Sequence, residues 1–372
     1  MDDLIRDFAE KCRKKLEGFE NAQVKCGITG PSGSGKSSLI NAIFGQKIAA
    51  VGVVETTSRE QEFSHPGKGL ILVDLPGIGT PNWPKETYIE RLKLLTYDSF
   101  LLVTAERFTE NDVYLYRELT SHGIPCFVLR NKFDRAVEDG LHDNGLSEHE
   151  VRRQIESDIR ANLLPASPSR VYLTSGRHPA KYDLGCMLDD ISEALSGIKR
   201  SRFIADMASY TEESLKKKRE LALELMPLYA GLAAANGFNP VPVVDIAADI
   251  AVLVKMAHAV AQIYGLTFEQ FEYVKRLFGP NGLPGLLNAK ITQFAAKYLA
   301  KEGIMLLLRS MGQRTAAKES SKWIPFVGPL IAAGIGWKST FILGEQMVDQ
   351  AEALAREILE AVVRGSDLPP GR

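Results

Sequence analysis

Cysteine is scarce in this sequence. Its four copies, Cys12, Cys26, Cys126 and Cys186, stand far apart, with no metal-ligand or redox spacing, which excludes a compact cysteine metal motif. They read as small hydrophobes of a reducing compartment, with Cys26 and Cys126 in predicted strands. An excess of one charge is also missing. Lys and Arg total 45 against 46 Asp and Glu, a net charge of −1, which argues against a dedicated nucleic-acid binder. There is no internal repeat and no low-complexity tract. The opening Met1-Asp2-Asp3-Leu4 holds no apolar leader segment, and Asp2 excludes N-myristoylation. The closing Pro369-Pro370-Gly371-Arg372 carries no prenylation cysteine. The expectation is a cytoplasmic protein without a covalent lipid anchor.

What is present is apolar residue in quantity and order. A chain of 372 residues that is 45% hydrophobic can fill two or three domain cores. The most informative stretch is Gly30-Pro31-Ser32-Gly33-Ser34-Gly35-Lys36-Ser37, a complete phosphate-loop pattern. A short apolar run, Val24 to Ile28, precedes it as a strand, and Ser37 to Phe44 follows as a helix. Glycines let the backbone wrap phosphates with its N–H groups inward, and the helix start adds its positive dipole end. Gly30, Ser32, Gly33, Ser34, Gly35, Lys36, Ser37 and Ser38 are the candidate phosphate-binding residues. Lys36 is placed to reach the β- and γ-phosphates and the Ser37 hydroxyl to bind Mg²⁺.

From 24 to 198, apolar runs alternate with helical patterns. Strands are expected at 24–29, 70–74, 99–104, 126–130 and 171–174, and helices at 37–45, 84–95, 109–122, 147–162 and 185–197. The runs Leu70–Val73 and Ser99–Val103 are continuously apolar, as in strands covered on both faces. This is the alternation of a doubly wound parallel sheet, whose ligands bind beyond the carboxyl ends of its strands.

The other motifs fall just there. Asp74-Leu75-Pro76-Gly77 follows a strand, so Asp74 can hold Mg²⁺ through water and the Gly77 N–H can meet the γ-phosphate. Thr56 and Thr57 are both candidates for a switch hydroxyl that joins the metal. Asn131-Lys132-Phe133-Asp134 follows the fourth strand. A carboxylate at Asp134 can accept from guanine N1–H and N2–H₂, a donor pair that adenine lacks. Asn131 can support the purine edge, the Lys132 stem can cover the ring, and Ser175 and Gly176 after the fifth strand can read guanine O6. Order and spacing together predict a GTP-binding domain. Ile78 stands where small Ras-like GTPases place the glutamine that orients the attacking water. Slow intrinsic hydrolysis is therefore expected, with the missing polar group supplied from elsewhere, as by a second subunit.

Beyond Ser196 the strand pattern stops. Helices are expected at 3–19, 203–227, 243–264 and about 340–363, with the basic run Lys216-Lys217-Lys218-Arg219 read as a solvated face. The stretch Trp323–Trp337 reads as buried helical core rather than a membrane segment. Three segments follow: 1–20, an N-terminal helix belonging to the helical part; 21–198, the nucleotide domain; and 199–372, the C-terminal helical domain.

These residues resemble the immunity-related GTPases, the interferon-inducible p47 GTPases. The resemblance covers most of the chain. It is carried by Gly30–Asn41, Gly52-Val53-Val54-Glu55-Thr56-Thr57, Asp74–Pro84, Tyr97-Asp98-Ser99-Phe100 and Pro240–Ile246. It implies an α/β Ras-like P-loop GTPase domain plus an all-α helical domain formed by both chain ends. It also implies bound GTP or GDP with Mg²⁺, GTP-dependent self-assembly across the nucleotide face, and a peripheral place at intracellular membranes. Lys36 and Ser37 match the family's phosphate and metal positions, Thr57 matches its switch threonine better than Thr56, and Glu55 matches a glutamate linked to dimer activation. On this basis Lys36, Thr57, Gly77 and Glu55 are the expected catalytic set, and Ser37, Thr57 and Asp74 the expected metal set. Departures are Asp2 in place of a myristoylated glycine and Asn131 where many vertebrate members carry threonine.

Overall fold

The computed structural model describes residues 2–50, 60–67, 69–106, 108–164, 168, 170–236, 242–278, 284–307 and 337–366. Two compact units emerge. One comprises Ala22–Ser214 with Glu269–Pro280 and Leu359–Arg372; the other comprises Met1–Asn21, Leu215–Phe268 and Asn281–Ile358.

The first unit is built on a six-stranded sheet of order β2-β3-β1-β4-β5-β6. Its strands are β1 (Val24–Thr29), β2 (Gln61–Ser64), β3 (Leu70–Asp74), β4 (Ser99–Thr104), β5 (Cys126–Arg130) and β6 (Val171–Leu173). All neighbours run parallel except β2, which pairs antiparallel with β3 at the edge. The sequence does not announce β2, because of its four residues only Phe63 is buried.

Helices α2 (Lys36–Phe44), α3 (Lys85–Arg91), α4 (Glu110–Ser121), α5 (Phe133–Asn144), α6 (Glu148–Leu163), α7 (Leu184–Ala194) and α8 (Gly197–Asp206) belong to the same unit. Both sheet faces are covered. Phe100, Leu102, Val128 and Leu173 join one cluster with Tyr88, Leu115, Phe133 and Ile159 from α3 to α6, while Leu101, Val103 and Leu129 are buried on the opposite face. That double burial explains the continuous apolar runs. Helix α3 is shorter than the expected 84–95: it stops at Arg91, and a left-handed Lys93 (φ 50) leads into a 3₁₀ turn at Leu94–Thr96.

The unit continues past residue 198. Burial would raise the Asp206 carboxyl, but hydrogen bonding and charge from His65, the Arg202 guanidinium and the Leu70 N–H outweigh it and hold it at about 2. Arg202, Asp206 and His65 are each under 5% exposed, and Leu70 N–H donates to Asp206 at 2.8 Å. This pins the β2–β3 turn to α8. The sequence reading of one helix over 203–227 is thus corrected: α8 ends at Asp206, and α9 starts at Glu212 and runs through Pro227 to Asn236. Burial of Met226, Tyr229 and Ala230 holds α9 together where proline removes a backbone donor.

The second unit gathers α1 (Asp2–Asn21), most of α9, α10 (Pro242–Ile263), α12 (Gly285–Phe294) and the greater part of α13 (Trp337–Ser366). α11 (Phe268–Leu277) falls, but for its first residue, in the sheet unit. The helical unit thus draws on both chain ends. The basic run is not a solvated face. Lys217 and Lys218 are buried, Lys218 donates to the Ile263 carbonyl that ends α10, and Arg219 pairs with Asp349 and Glu352. Lys216 alone of the four is exposed. One described stretch, Ala251–Leu277, is long and apolar enough to cross a membrane by length and composition. Gly265 (φ 70) breaks it between α10 and α11, and Leu253, Met256 and Val260 are buried. The stretch 323–336 lies outside the described residues.

Candidate functional site

The site forms beyond the carboxyl ends of β1, β3, β5 and β6. The loop after β1 is shaped by glycine. Gly30 has φ 149, and a Cβ there would lie 1.9 Å from the Val103 carbonyl of β4. Only a residue without a side chain lets the loop cross that strand so closely. Gly35 (φ 86) is the N-cap of α2, with no side-chain cap bond, so the first N–H groups of the helix are left for a ligand. Ser34 is 1% exposed, and its Oγ has no hydrogen-bond partner among the described residues. A buried, unsatisfied hydroxyl inside a glycine-wrapped loop suits an anionic oxygen ligand.

Lys36 opens α2. Its Nζ donates to the Gly30 carbonyl at 3.0 Å and lies 3.7 Å from the Asp74 carboxylate, with both side chains about nine-tenths buried. Asp74 ends β3 opposite Ile28 of β1. Lysine, carboxylate and the hydroxyl-bearing first turn of α2 therefore share one small space. A hard oxygen set of this kind fits a nucleotide-bound Mg²⁺.

Asn131 is 1% exposed. Its Nδ2 donates to the Ser34 carbonyl at 2.8 Å, and its Oδ1 accepts from Thr174 Oγ1 at 3.3 Å. It braces the phosphate loop. Lys132 is left-handed (φ 58) and caps α5, which places Asp134 in the first helical turn, 8% exposed. The Lys132 stem comes close to Gly35. On the other side, a Cβ at Gly176 would lie 2.8 Å from that of Ser38, so the loop after β6 rests directly on α2. Ser175 is buried and its Oγ accepts from the N–H groups of Arg177 and His178, both at 3.2 Å.

The segment after Asp74 is held from two sides. Tyr88 of α3 donates its hydroxyl to the Pro76 carbonyl at 2.6 Å, and Asn111 of α4 donates to the Ile78 carbonyl at 3.1 Å. Burial raises the Tyr88 phenol far above its usual range, so it remains a donor. The Ile78 side chain is 8% exposed and packs in the core with Leu75, Tyr88 and Leu115. Gly77 lies between these two anchors. Glu55, Thr56 and Thr57 lie outside the described residues.

Sequence reasoning did not single out Asn41. Its side chain donates to Ala49 O at 2.9 Å and accepts from the N–H groups of Ile48 and Ala49 at 2.7 and 2.8 Å. It fixes the backbone leading toward residue 51. A polar residue amid the apolar Leu39-Ile40-Ala42-Ile43-Phe44 run was the available signal.

A profile of the interferon-inducible GTPase (IIGP) family matches residues 2–277. The chain belongs to the interferon-inducible GTPase family. Interferon-inducible GTPase 5 of Rattus norvegicus is 27% identical over 372 aligned residues, covering 96% of this chain and 80% of the rat protein. Interferon-inducible GTPase 1 of Mus musculus is 29% identical, covering 55% of this chain and 52% of the mouse protein. The crystal structure of Toc33 from Arabidopsis thaliana in complex with Mg²⁺ and GMPPNP covers 47% of this chain and 80% of Toc33, at 17% identity and a TM-score of 0.33. Membership in the interferon-inducible GTPases makes this a GTPase with a GTP-binding domain, and GTP and GDP are the nucleotides of its family.

Proposed function

We propose that the protein binds GTP and GDP at the glycine loop, hydrolyses GTP slowly on its own, and self-assembles in the GTP state across its nucleotide face, where assembly speeds hydrolysis. The observation that carries the site is Lys36, at the open start of α2, within 3.7 Å of Asp74. In this assignment Ser32, Gly33, Ser34, Gly35 and Ser38 surround the phosphates, and Asp134, with Ser175 and Gly176, selects guanine. The Lys132 stem lies along the ring. Ser37, Asp74 and Thr57 would hold Mg²⁺, which when bound neutralises charge on the phosphate oxygens.

Slow intrinsic turnover is supported by Ile78, whose side chain is committed to the core. No polar group reaches the reacting phosphate from that position. Lys36 and the Gly77 N–H stabilise charge there, Thr57 orders around it, and Glu55 acts through a partner subunit. We extend this to a peripheral position on an intracellular membrane, a cytoplasmic protein recruited by assembly rather than by a spanning helix. Nucleic acid has no part in it.

The test is GTP turnover per molecule over a wide range of protein concentration, with light scattering in parallel. Specific activity that rises together with particle size is expected. Flat turnover without assembly would make the protein a monomeric switch that recruits an effector. Tight GTP binding without turnover would make it a scaffold. Within the same set, Asp134→Asn should lower the preference for GTP over xanthosine triphosphate by about two orders of magnitude, the scale of a lost buried charged hydrogen-bond pair.

A further inference from the structure

The surface of the sheet unit carries a groove of about 360 Å³ between α3 and α4. Its floor is apolar, made by Ile89, Leu95 and Tyr114. Leu95 is 49% exposed, while its neighbour Leu94 is fully buried. The 3₁₀ turn that follows the left-handed Lys93 sets this division, with one leucine inward and the next outward. With Ile89 and Tyr114 beside it, Leu95 forms part of a contiguous apolar surface in a concavity, the kind of surface that marks an interaction site.

The walls are acidic. Glu86 and Glu90 line the groove from α3 and Glu118 from α4. Among the described residues, none of the three is engaged in an ion pair. Of the basic residues nearby, Lys85 lies over the Tyr114 ring of the floor at 4.3 Å, and Arg91 is turned to the Trp83 ring at 4.5 Å. Lys93 is the one lysine on the lining, and His122 completes the rim. Three carboxylates against Lys93 and Lys85 still leave an excess of negative charge around the apolar floor.

That combination selects an occupant. A helix with aliphatic side chains on one face and Lys or Arg beside them would fill the floor and satisfy the carboxylates. An anionic lipid surface or a nucleic acid would be repelled by the same three groups.

The groove is also wired to the nucleotide loop. Tyr88 of α3 holds Pro76, and Asn111 of α4 holds Ile78, so each wall grips the segment after Asp74 from its own side. Through these two bonds a shift of that segment can reach both walls.

We propose that the α3–α4 groove docks a cationic amphipathic helix of a partner protein, with an affinity that depends on the bound nucleotide. The nucleotide dependence rests on the GTP-site reading above; the docking itself does not. The probe is a fluorescent peptide of about 18 residues built from Leu, Lys and Ala, long enough to become helical on binding. The control has Glu in place of Lys. Both are titrated by anisotropy against the full chain loaded with GDP or a non-hydrolysable GTP analogue, and nucleotide binding is measured on the same samples. The Lys peptide should bind saturably and the Glu peptide should not. Glu90→Lys and Leu95→Asp, both at exposed positions, should each weaken the Lys peptide about tenfold or more and leave nucleotide affinity unchanged. The two nucleotide forms should differ about threefold or more.

Absence of saturable binding, or equal binding by both variants, overturns the proposal. Groove-dependent binding that is equal in both nucleotide forms overturns the coupling alone. If Leu95→Asp abolishes self-association and the peptide does not compete with it, the occupant is a second copy of this chain and the proposal is wrong. If the chain takes up no guanine nucleotide, the GTP-site reading fails, while the two variants still decide the docking.

Discussion

Asn131 donates its side-chain amide to the main-chain carbonyl of Ser34 across 97 positions of sequence, at 2.8 Å. The same side chain accepts from Thr174. One buried residue thus joins the phosphate loop, the end of β5 and the end of β6. Asn131→Ala would leave the Ser34 carbonyl and the Thr174 hydroxyl buried without this partner. We expect a loss of about 1–3 kcal/mol in stability, the cost of unsatisfied buried groups. Guanine nucleotide affinity should fall about tenfold, because the loop loses its brace. Thermal denaturation and titration with a fluorescent GDP analogue check both, and normal values in both would remove Asn131 from the site.

Ile78→Gln should not create a faster GTPase. The side chain is 8% exposed and belongs to the core with Tyr88 and Leu115. An amide placed there loses apolar contacts and its hydrogen bonds to water. A destabilisation of about 2–4 kcal/mol is expected, with single-turnover hydrolysis no faster than that of the parent protein. Faster turnover at undiminished stability would show that position 78 faces the phosphate instead.

Gly30→Ala and Gly33→Ala should separate two roles of glycine. At Gly30 a methyl group would meet the Val103 carbonyl at 1.9 Å, and Val103 is held in the β4–β5 ladder. At Gly33 nothing lies within 4 Å, and only the φ of 78 resists substitution. The second change should cost about 1–2 kcal/mol of backbone strain. The first should cost more and abolish nucleotide binding. Denaturant midpoints and nucleotide titration for the pair give the comparison.

Asp206 should mark the acid limit of the sheet unit. Its carboxyl is held at about 2, below an unfolded value near 4. Stability from this group is therefore present above the unfolded value and is lost as pH falls through the folded one. The window is about pH 4 to 2, and the amount about 2 kcal/mol. Asp206→Asn should flatten that part of the stability profile. It should also cost about 3–5 kcal/mol at neutral pH, because Arg202 stays buried without its counter-charge. Urea melts across the pH range, in both proteins, test the sign.

The strands were legible because both sheet faces are buried, so composition alone marks β1, β3, β4, β5 and β6. The edge strand β2 was not, since Gln61, Glu62 and Ser64 are exposed and carry no alternation beyond Phe63. Helix α5 was hidden because it begins inside the Asn131–Asp134 motif, capped by a left-handed Lys132 that no propensity scale favours. Motif chemistry named Asn131 for the purine edge and could not show that its side chain also braces the phosphate loop. The reason is distance: Ser34 and Asn131, 97 positions apart, meet only through the strand order. The Arg202–Asp206–His65 cluster and the buried Lys217 and Lys218 were unreadable for the same reason. Charge in a sequence predicts solvent, and only a fold can supply the carboxylates and carbonyls that reverse the prediction.

Helix α2 has a consequence of its own. Its amino end faces the phosphate loop, and at its other end the carbonyls of Ala42 and Ile43 accept from the Tyr210 hydroxyl and the Ala208 N–H, each at 2.8 Å. Nine residues make a rod of about 13 Å. One short, stiff strut therefore has the glycine loop at one tip and the connection between α8 and α9 at the other. Tyr210→Phe would remove one of the two hydrogen bonds at that far tip without touching the loop.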